Sequence, residues 1–351
     1  MRVHLIEPEL GRISGGLAYN RALAEAAEAA IVRHTVPGCW DRPGRAEASA
    51  VAALIEAAPG PVLLDGLIAT GLPDLTRPPG RGVAAGVHVL VHSLAADDAA
   101  QTGTASQSRW SAALEKERRA LMSAAGVITT SRFTAEMLSS RYGIHAEAAP
   151  PGNPARAQAT GSGGGHFICI GAVTENKRQL LITEALRAII ADERGRDDRG
   201  RLTSWHCTFA GPIVEADYAH RLRTACADLP EGRAEVVGEL AEDELDALYG
   251  SADLLLLPSR SEAYGMVVAE AAAAGIPSFV TSGTGAEEPL RSGLSLPADR
   301  ESWARALRRW MDDEHFRVQL RAEAQQRREE AVRGWDQTAA DVFGALAGHR
   351  R

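Results

Sequence analysis

Short apolar runs alternate with Ala-rich stretches of helical period along the whole chain. This is the βαβα pattern of a parallel sheet covered by helices on both faces. In the first part, strands are predicted over 3–6, 62–64, 87–91 and 127–130, with helices over 18–30, 47–57 and 109–124. The pattern restarts with strands over 167–170, 206–210, 234–237, 254–257 and 278–280, again with helices between them. Two breaks separate the halves, Pro150-Pro151-Gly152-Asn153-Pro154 and Gly161-Ser162-Gly163-Gly164-Gly165. Proline removes backbone donors and glycine adds freedom, so neither stretch continues a sheet or helix. The reading is therefore two doubly wound α/β domains, 1–156 and 157–334, with ligands expected at the carboxyl ends of strands and a cleft between the domains.

A chain of 351 residues suits two cores better than one. An apolar share of 45% with 24% charged residues fits a folded globular protein and argues against disorder. The 38 cations against 46 anions give a net charge of −8, which argues against a nucleic-acid backbone as partner. Through Pro150 there are 14 cations and 15 anions, so the first domain offers no basic face for anionic lipid. The start lacks the apolar run of a signal peptide, and no stretch approaches the ~18 apolar residues of a membrane span. Cys39, Cys169, Cys207 and Cys226 are widely spaced, without a metal-ligand pattern. A cytoplasmic protein without a resident metal or cofactor is the expectation.

Charge becomes informative when the cations are separated by type: only Lys116 and Lys177 are lysines, and the other 36 are arginines. Lys116 lies in Glu115-Lys-Glu-Arg-Arg, a charged helix face. Lys177 lies in Gly171-Ala-Val-Thr-Glu-Asn-Lys-Arg178, between a strand and the helix from Gln179, where a compact ammonium can meet a phosphate. Gly15 and Gly16, before a helix expected near Leu17, allow an anion to approach free amides. The dinucleotide pattern G-x-G-x-x-G is absent there, which argues against a nicotinamide dehydrogenase. In Pro258-Ser-Arg-Ser-Glu262-Ala-Tyr-Gly-Met-Val-Val-Ala-Glu270, a buried strand feeds a loop and an Ala-rich helix. Eight helical residues rise about 12 Å, too far for a glycosidase carboxylate pair at about 5–9.5 Å. The spacing suits two anchors on one extended ligand. Carboxylates accept from sugar and ribose hydroxyls, and the amides of Gly265, Met266 and Val267 take the phosphates between.

On these residues the chain resembles the retaining glycosyltransferases of the GT-B fold, family 4. The Glu262–Glu270 segment is similar to their E-x7-E motif. Gly15-Gly16, the stretch around Ser131, Phe209-Ala-Gly211, Val236-Val-Gly238 and Gly334-Trp335-Asp are similar to further family segments. The resemblance implies two Rossmann-like domains facing across a cleft, with a final helix over 335–349 packing back onto the first. It implies transfer of a hexose-type sugar, with retention and without a metal, from a UDP- or GDP-sugar to a small-molecule, glycan or lipid acceptor. Glu262 and His92 would contact the transferred sugar, and Lys177 with the Gly16 amide would neutralise the diphosphate. Glu270 would accept from the ribose, and backbone near Gly238 and Glu239 would hold the base. Gly15, Gly171, Arg178, Tyr264, Gly265, Met266 and Val267 complete the expected donor site, and Glu9, Arg12 and Ser14 the acceptor side. The family pattern carries an Arg after the glycine of the Lys177 loop, where this chain has Ala172; Arg178 or Arg260 could substitute. The family's usual late strand is eroded to Ser292-Gly-Leu-Ser-Leu-Pro. A sugar-nucleotide epimerase or hydrolase, or a binding module without catalysis, are the alternatives.

Overall fold

The computed structural model describes residues 2–11, 14–40, 42–77, 86–94, 107–192 and 204–348, without the side chains of residues 107–109 and 192. The chain divides into two compact units, Met1–Gly152 with Gly334–Arg351, and Asn153–Arg333.

The first unit is a parallel sheet of β1 (Val3–Glu9), β2 (Ile31–Pro37), β3 (Val62–Asp65), β4 (Val87–Val91), β5 (Gly126–Thr129) and β6 (Glu147–Ala148). Its order is β2-β1-β3-β4-β5-β6, the flavodoxin-type winding, so chain direction across the sheet reverses between β1 and β3. Alternate strand residues face opposite layers. Val3, Leu5, Leu63 and Leu90 pack with Tyr19 and Leu23 of the helix Gly15–Ala26 and with Val342 and Leu346 of the helix Trp335–Gly348. Ile6, Val62, Leu64 and Val89 pack on the other face with Val51 and Ile55 of the helix Arg45–Ala57. Edge strand β2 and the two-residue β6 were not among the predicted strands. In β2 only Ile31 and Val36 are buried, and Arg33 and Thr35 are exposed, so no continuous apolar run marks it.

The second unit is a parallel sheet of β7 (His166–Ile170), β8 (His206–Ala210), β9 (Ala234–Gly238), β10 (Leu254–Leu257), β11 (Ser278–Thr281) and β12 (Gly293–Leu296). The order β12-β11-β10-β7-β8-β9 is the Rossmann winding, whose switch point lies between β7 and β10. The sequence that reads as an eroded strand, around Leu294 and Leu296, does pair with β11 as β12. Glycines terminate β7, β8 and β9 side by side: Gly171 N–H donates to Ala210 O (2.9 Å) and Gly211 N–H to Gly238 O (2.7 Å). All three have positive φ, at 151°, 141° and 81°. At Gly211 a Cβ would lie 2.1 Å from the Gly171 carbonyl, so no side chain fits at that turn.

Candidate active site

The switch point of the second unit brings together two loops far apart in sequence. β7 runs into Gly171–Lys177 and β10 into Pro258–Gly265. Asn176 joins them: its carbonyl accepts from Arg260 N (2.8 Å), its Oδ1 from Ser261 N (3.1 Å), and its Nδ2 donates to Ser261 O (3.2 Å). Held in this way, Lys177 Nζ lies 2.5 Å from Glu262 Oε1, with the side chains 24% and 11% exposed. The Glu262 backbone is fixed as well, its carbonyl accepting from Gly285 N (2.8 Å). Gly285 is needed there, since a Cβ would lie 2.1 Å from Ala263 O.

The loop ends at Gly265, left-handed at φ 84°, which caps the helix Met266–Ala274. The amides of Gly265, Met266 and Val267 therefore belong to the helix start, whose first-turn N–H groups have no acceptor within the helix. The helix closes at left-handed Gly275. Glu270 sits in its second turn and is held from the side: Tyr249 Oη donates to Oε2 (2.6 Å), Arg156 Nη2 approaches the same oxygen (3.5 Å), and the Arg156 guanidinium lies 4.7 Å over the Tyr249 ring. Burial raises the Glu270 carboxyl above its usual range, while the Tyr249 hydroxyl and Arg156 pull it back. Tyr264 is half-buried, and burial followed by the nearby Glu288 raises its hydroxyl.

The other second-unit residues expected on the donor side lie at separate strand ends and loops. Gly171 ends β7 with Lys177 Cε 3.5 Å from where its Cβ would be. Gly238 ends β9 with open space around it, and Glu239 follows exposed. Arg178 adopts a left-handed φ of 53° and donates from Nη2 to Ala298 O (2.8 Å). Burial, and then the nearby Arg260, lower its pKa. Its guanidinium is thus engaged with a carbonyl beyond β12.

In the first unit the helix starts at Gly15, two residues before the expected Leu17, because Ser14 Oγ accepts from Leu17 N (3.2 Å) and becomes the N-cap. Gly15 and Gly16 thus form the first turn rather than a loop. At Gly16 a Cβ would meet His92 Cδ2 and Cγ at 3.0 Å, so this glycine makes room for a histidine. His92 follows β4, with Nε2 2.9 Å from Asn20 Oδ1 and 3.6 Å from Asp65 Oδ2. Glu9 ends β1 and is exposed, Ser14 is committed to its cap, and Arg12 lies outside the described residues. Asn20, Asp65, Asn176, Tyr249 and Arg156 were not anticipated. Only Asp65 carries a local signal, as an Asp ending an apolar strand before Gly66, where it caps the next helix.

Burial raises Asp65 to about 7 against the opposing Leu67 amide and Asn20, with Glu7 adding to the rise. Burial lowers His92 to about 4. The two act oppositely on stability. Asp65 makes the fold costlier as pH rises from its ordinary 3.8 towards 7, and His92 makes it costlier as pH falls from 6.5 towards 4. In the wild type the slopes offset each other across their shared window. Asp65→Asn removes the first, so this variant gains stability as pH rises from about 4 to 6.5, more steeply than the wild type. Urea midpoints across that range at constant salt check this; parallel profiles contradict it.

Among the described residues, no group of three or more His, Cys, Asp or Glu side chains is arranged to hold a metal. No described helix is long and apolar enough to cross a membrane. The four cysteines are free thiols, with Cys39 exposed.

Two doubly wound units of this kind have the fold of the GT-B glycosyltransferases. Residues 156–327 match the family Glycosyl transferases group 1, and that segment belongs to it. The chain is 38% identical over 116 residues to the D-inositol 3-phosphate glycosyltransferase of Salinispora tropica, covering 31% of this chain and 24% of that protein. It is 29% identical over 246 residues to the Pseudarthrobacter chlorophenolicus protein of the same description, covering 64% of this chain and 56% of that one. The match to the Salinispora relative thus spans about a quarter of its length. In structure the chain is similar to a sucrose-phosphate synthase from Thermosynechococcus elongatus, with a TM-score of 0.74 at 18% identity over 99% of both chains. It is also similar to Anabaena HepE in complex with UDP and glucose, with a TM-score of 0.72 at 14% identity over 98% of this chain and 100% of that one.

Proposed function

We propose that the protein is a retaining, metal-independent glycosyltransferase of family 4. In this reading it moves a hexose-type sugar from a UDP- or GDP-sugar to a hydroxyl of a small-molecule, glycan or lipid acceptor. One observation carries the reading: the Lys177–Glu262 pair, 2.5 Å apart at the switch point of a Rossmann-type sheet, in the loops leading to a helix start. A cation, a carboxylate and free helix amides together match a sugar diphosphate, in which hydroxyls adjoin two anionic phosphates.

Lys177 and the amides of Gly265, Met266 and Val267, with Gly16, stabilise the charge that develops on the departing diphosphate. Glu262 and His92 contact the transferred sugar, Glu270 accepts from the ribose, and backbone at Gly238 and Glu239 holds the base. Glu9, Arg12 and Ser14 lie on the acceptor side. The description of the curated relatives supports an inositol phosphate as the first acceptor to try, and the HepE complex supports UDP-glucose as the first donor.

The test is nucleoside diphosphate release from a panel of UDP- and GDP-sugars, with and without an acceptor panel headed by inositol 3-phosphate. The expected result is acceptor-dependent release and a product that keeps the donor's anomeric configuration. Donor consumed equally without acceptor identifies an epimerase or hydrolase. Donor bound but never consumed identifies a binding module, the alternative that Ala172 keeps open. Either result sinks the transferase assignment.

A further inference from the structure

Two polar side chains behind His92 have no part in the chemistry described so far. Asn20 of the helix Gly15–Ala26 is 0% exposed and Asp65 at the end of β3 is 5% exposed. Polar groups buried this deeply cost stability unless their hydrogen bonds are made. Here they are made through the orientation that the Asn20 amide takes. Asn20 Nδ2 donates to Asp65 Oδ2 (3.4 Å), and Asp65 Oδ1 accepts from Leu67 N (2.9 Å). The amide of Asn20 is thereby oriented with its oxygen towards His92.

That oxygen lies 2.9 Å from His92 Nε2, and Asp65 Oδ2 lies 3.6 Å from the same nitrogen. An amide oxygen only accepts. The imidazole must therefore place its hydrogen on Nε2, which leaves the lone pair on Nδ1. The ring plane is fixed too: Tyr19 meets it edge-on at 5.2 Å, and Tyr19 is anchored by donating to Ala149 O (2.8 Å). The first helical turn closes against the ring at Gly16. Among the described residues, the titratable groups behind the ring include the Asp65 carboxyl and, against that, Glu7, itself held by Arg33 and Thr35.

We infer that Asn20 and Asp65 are positioning residues that lock His92 in the Nε2–H tautomer, so that Nδ1 accepts a hydrogen bond from a hydroxyl of the transferred sugar. The role rests on the functional reading above; the tautomer does not. The lock also selects among sugars, because an Nδ1 acceptor rewards a donor hydroxyl and gains nothing from a deoxy position.

Histidine side-chain 15N NMR of the whole protein tests it, with the His92 signals among the ten histidines identified by their loss in His92→Gln. The wild type should show a protonated, pyrrole-type Nε2 and an unprotonated Nδ1 at neutral pH. Asn20→Leu should populate the other tautomer and lower kcat by about tenfold, the scale of one lost hydrogen bond. Donor KM and nucleotide affinity should stay within about twofold, because a loss of fold would move them too. Asp65→Asn, close in shape to the native residue, should give a partial shift of the same sign, since the Asn20 amide is then free to turn. A wild-type ring protonated on Nδ1 overturns the inference, as do variants that keep a pure Nε2–H signal or change tautomer with kcat unmoved. An intact lock in a wild type that turns over no sugar nucleotide overturns the functional reading and the role built on it. A lost lock with turnover intact overturns the inference alone.

Discussion

Lys177→Ala lowers affinity for the nucleoside diphosphate by roughly ten- to a hundredfold, the worth of a hydrogen bond between charged groups. Lys116→Ala leaves it unchanged. The contrast follows from where the two lysines lie. Lys116 is exposed on the helix Gln107–Ser123, and a solvated charge of that kind contributes little to a remote ligand. Lys177 is three-quarters shielded and held at the switch point by the Asn176 clamp and Glu262. Lys177→Arg should not restore binding, because a planar fork has different reach and hydration from an ammonium. Titration calorimetry with the preferred nucleotide checks all three. Equal behaviour of the two alanine variants removes Lys177 from the phosphate site.

Glu262→Gln separates binding from chemistry. The Glu262 carboxylate lies 2.5 Å from the Lys177 ammonium. A diphosphate must compete with that carboxylate or share the ammonium with it. The neutral amide removes the competition, so affinity for the free nucleotide should hold within about threefold or tighten. Transfer should fall by about a hundredfold or more, because the carboxylate that the proposed function sets against the sugar as it becomes positive is gone. Single-turnover rates set beside nucleotide dissociation constants read the two effects separately. A loss of nucleotide affinity as large as the loss of rate would mean that Glu262 is a binding residue.

The central strands were legible because they are buried on both faces and read as unbroken apolar runs; β4, Val87–Val91, has the predicted bounds. The edge strands β2, β6 and β12, absent from the prediction or read as eroded, lack that property. β2 carries Arg33 and Thr35 outward, and β12 is half-buried. Of the site, what lies within one loop was visible: Lys177 by being a rare lysine, and Glu262 and Glu270 by their spacing. The pairing of Lys177 with Glu262 joins residues 85 positions apart and depends on β7 and β10 being neighbours, which is a property of strand order. Asn20, Asp65 and His92 are likewise brought together by β3, β4 and a helix laid over both. Gly16 shows a different limit: the sequence identified the residue, but its missing side chain serves a histidine ring as well as any phosphate.

The proposed function stands on a nucleoside diphosphate site formed by Lys177, Glu262 and the start of the helix Met266–Ala274. The most direct measurement is the melting temperature of the whole protein against UDP, GDP, ADP and TDP and their sugars. A ligand at a hundred times its dissociation constant adds about 2.7 kcal/mol to the native state, a rise of several degrees for domains of this size. One nucleoside diphosphate should give that rise, and Lys177→Ala should abolish it. No shift with any of them, or a shift that survives Lys177→Ala undiminished, contradicts the claim.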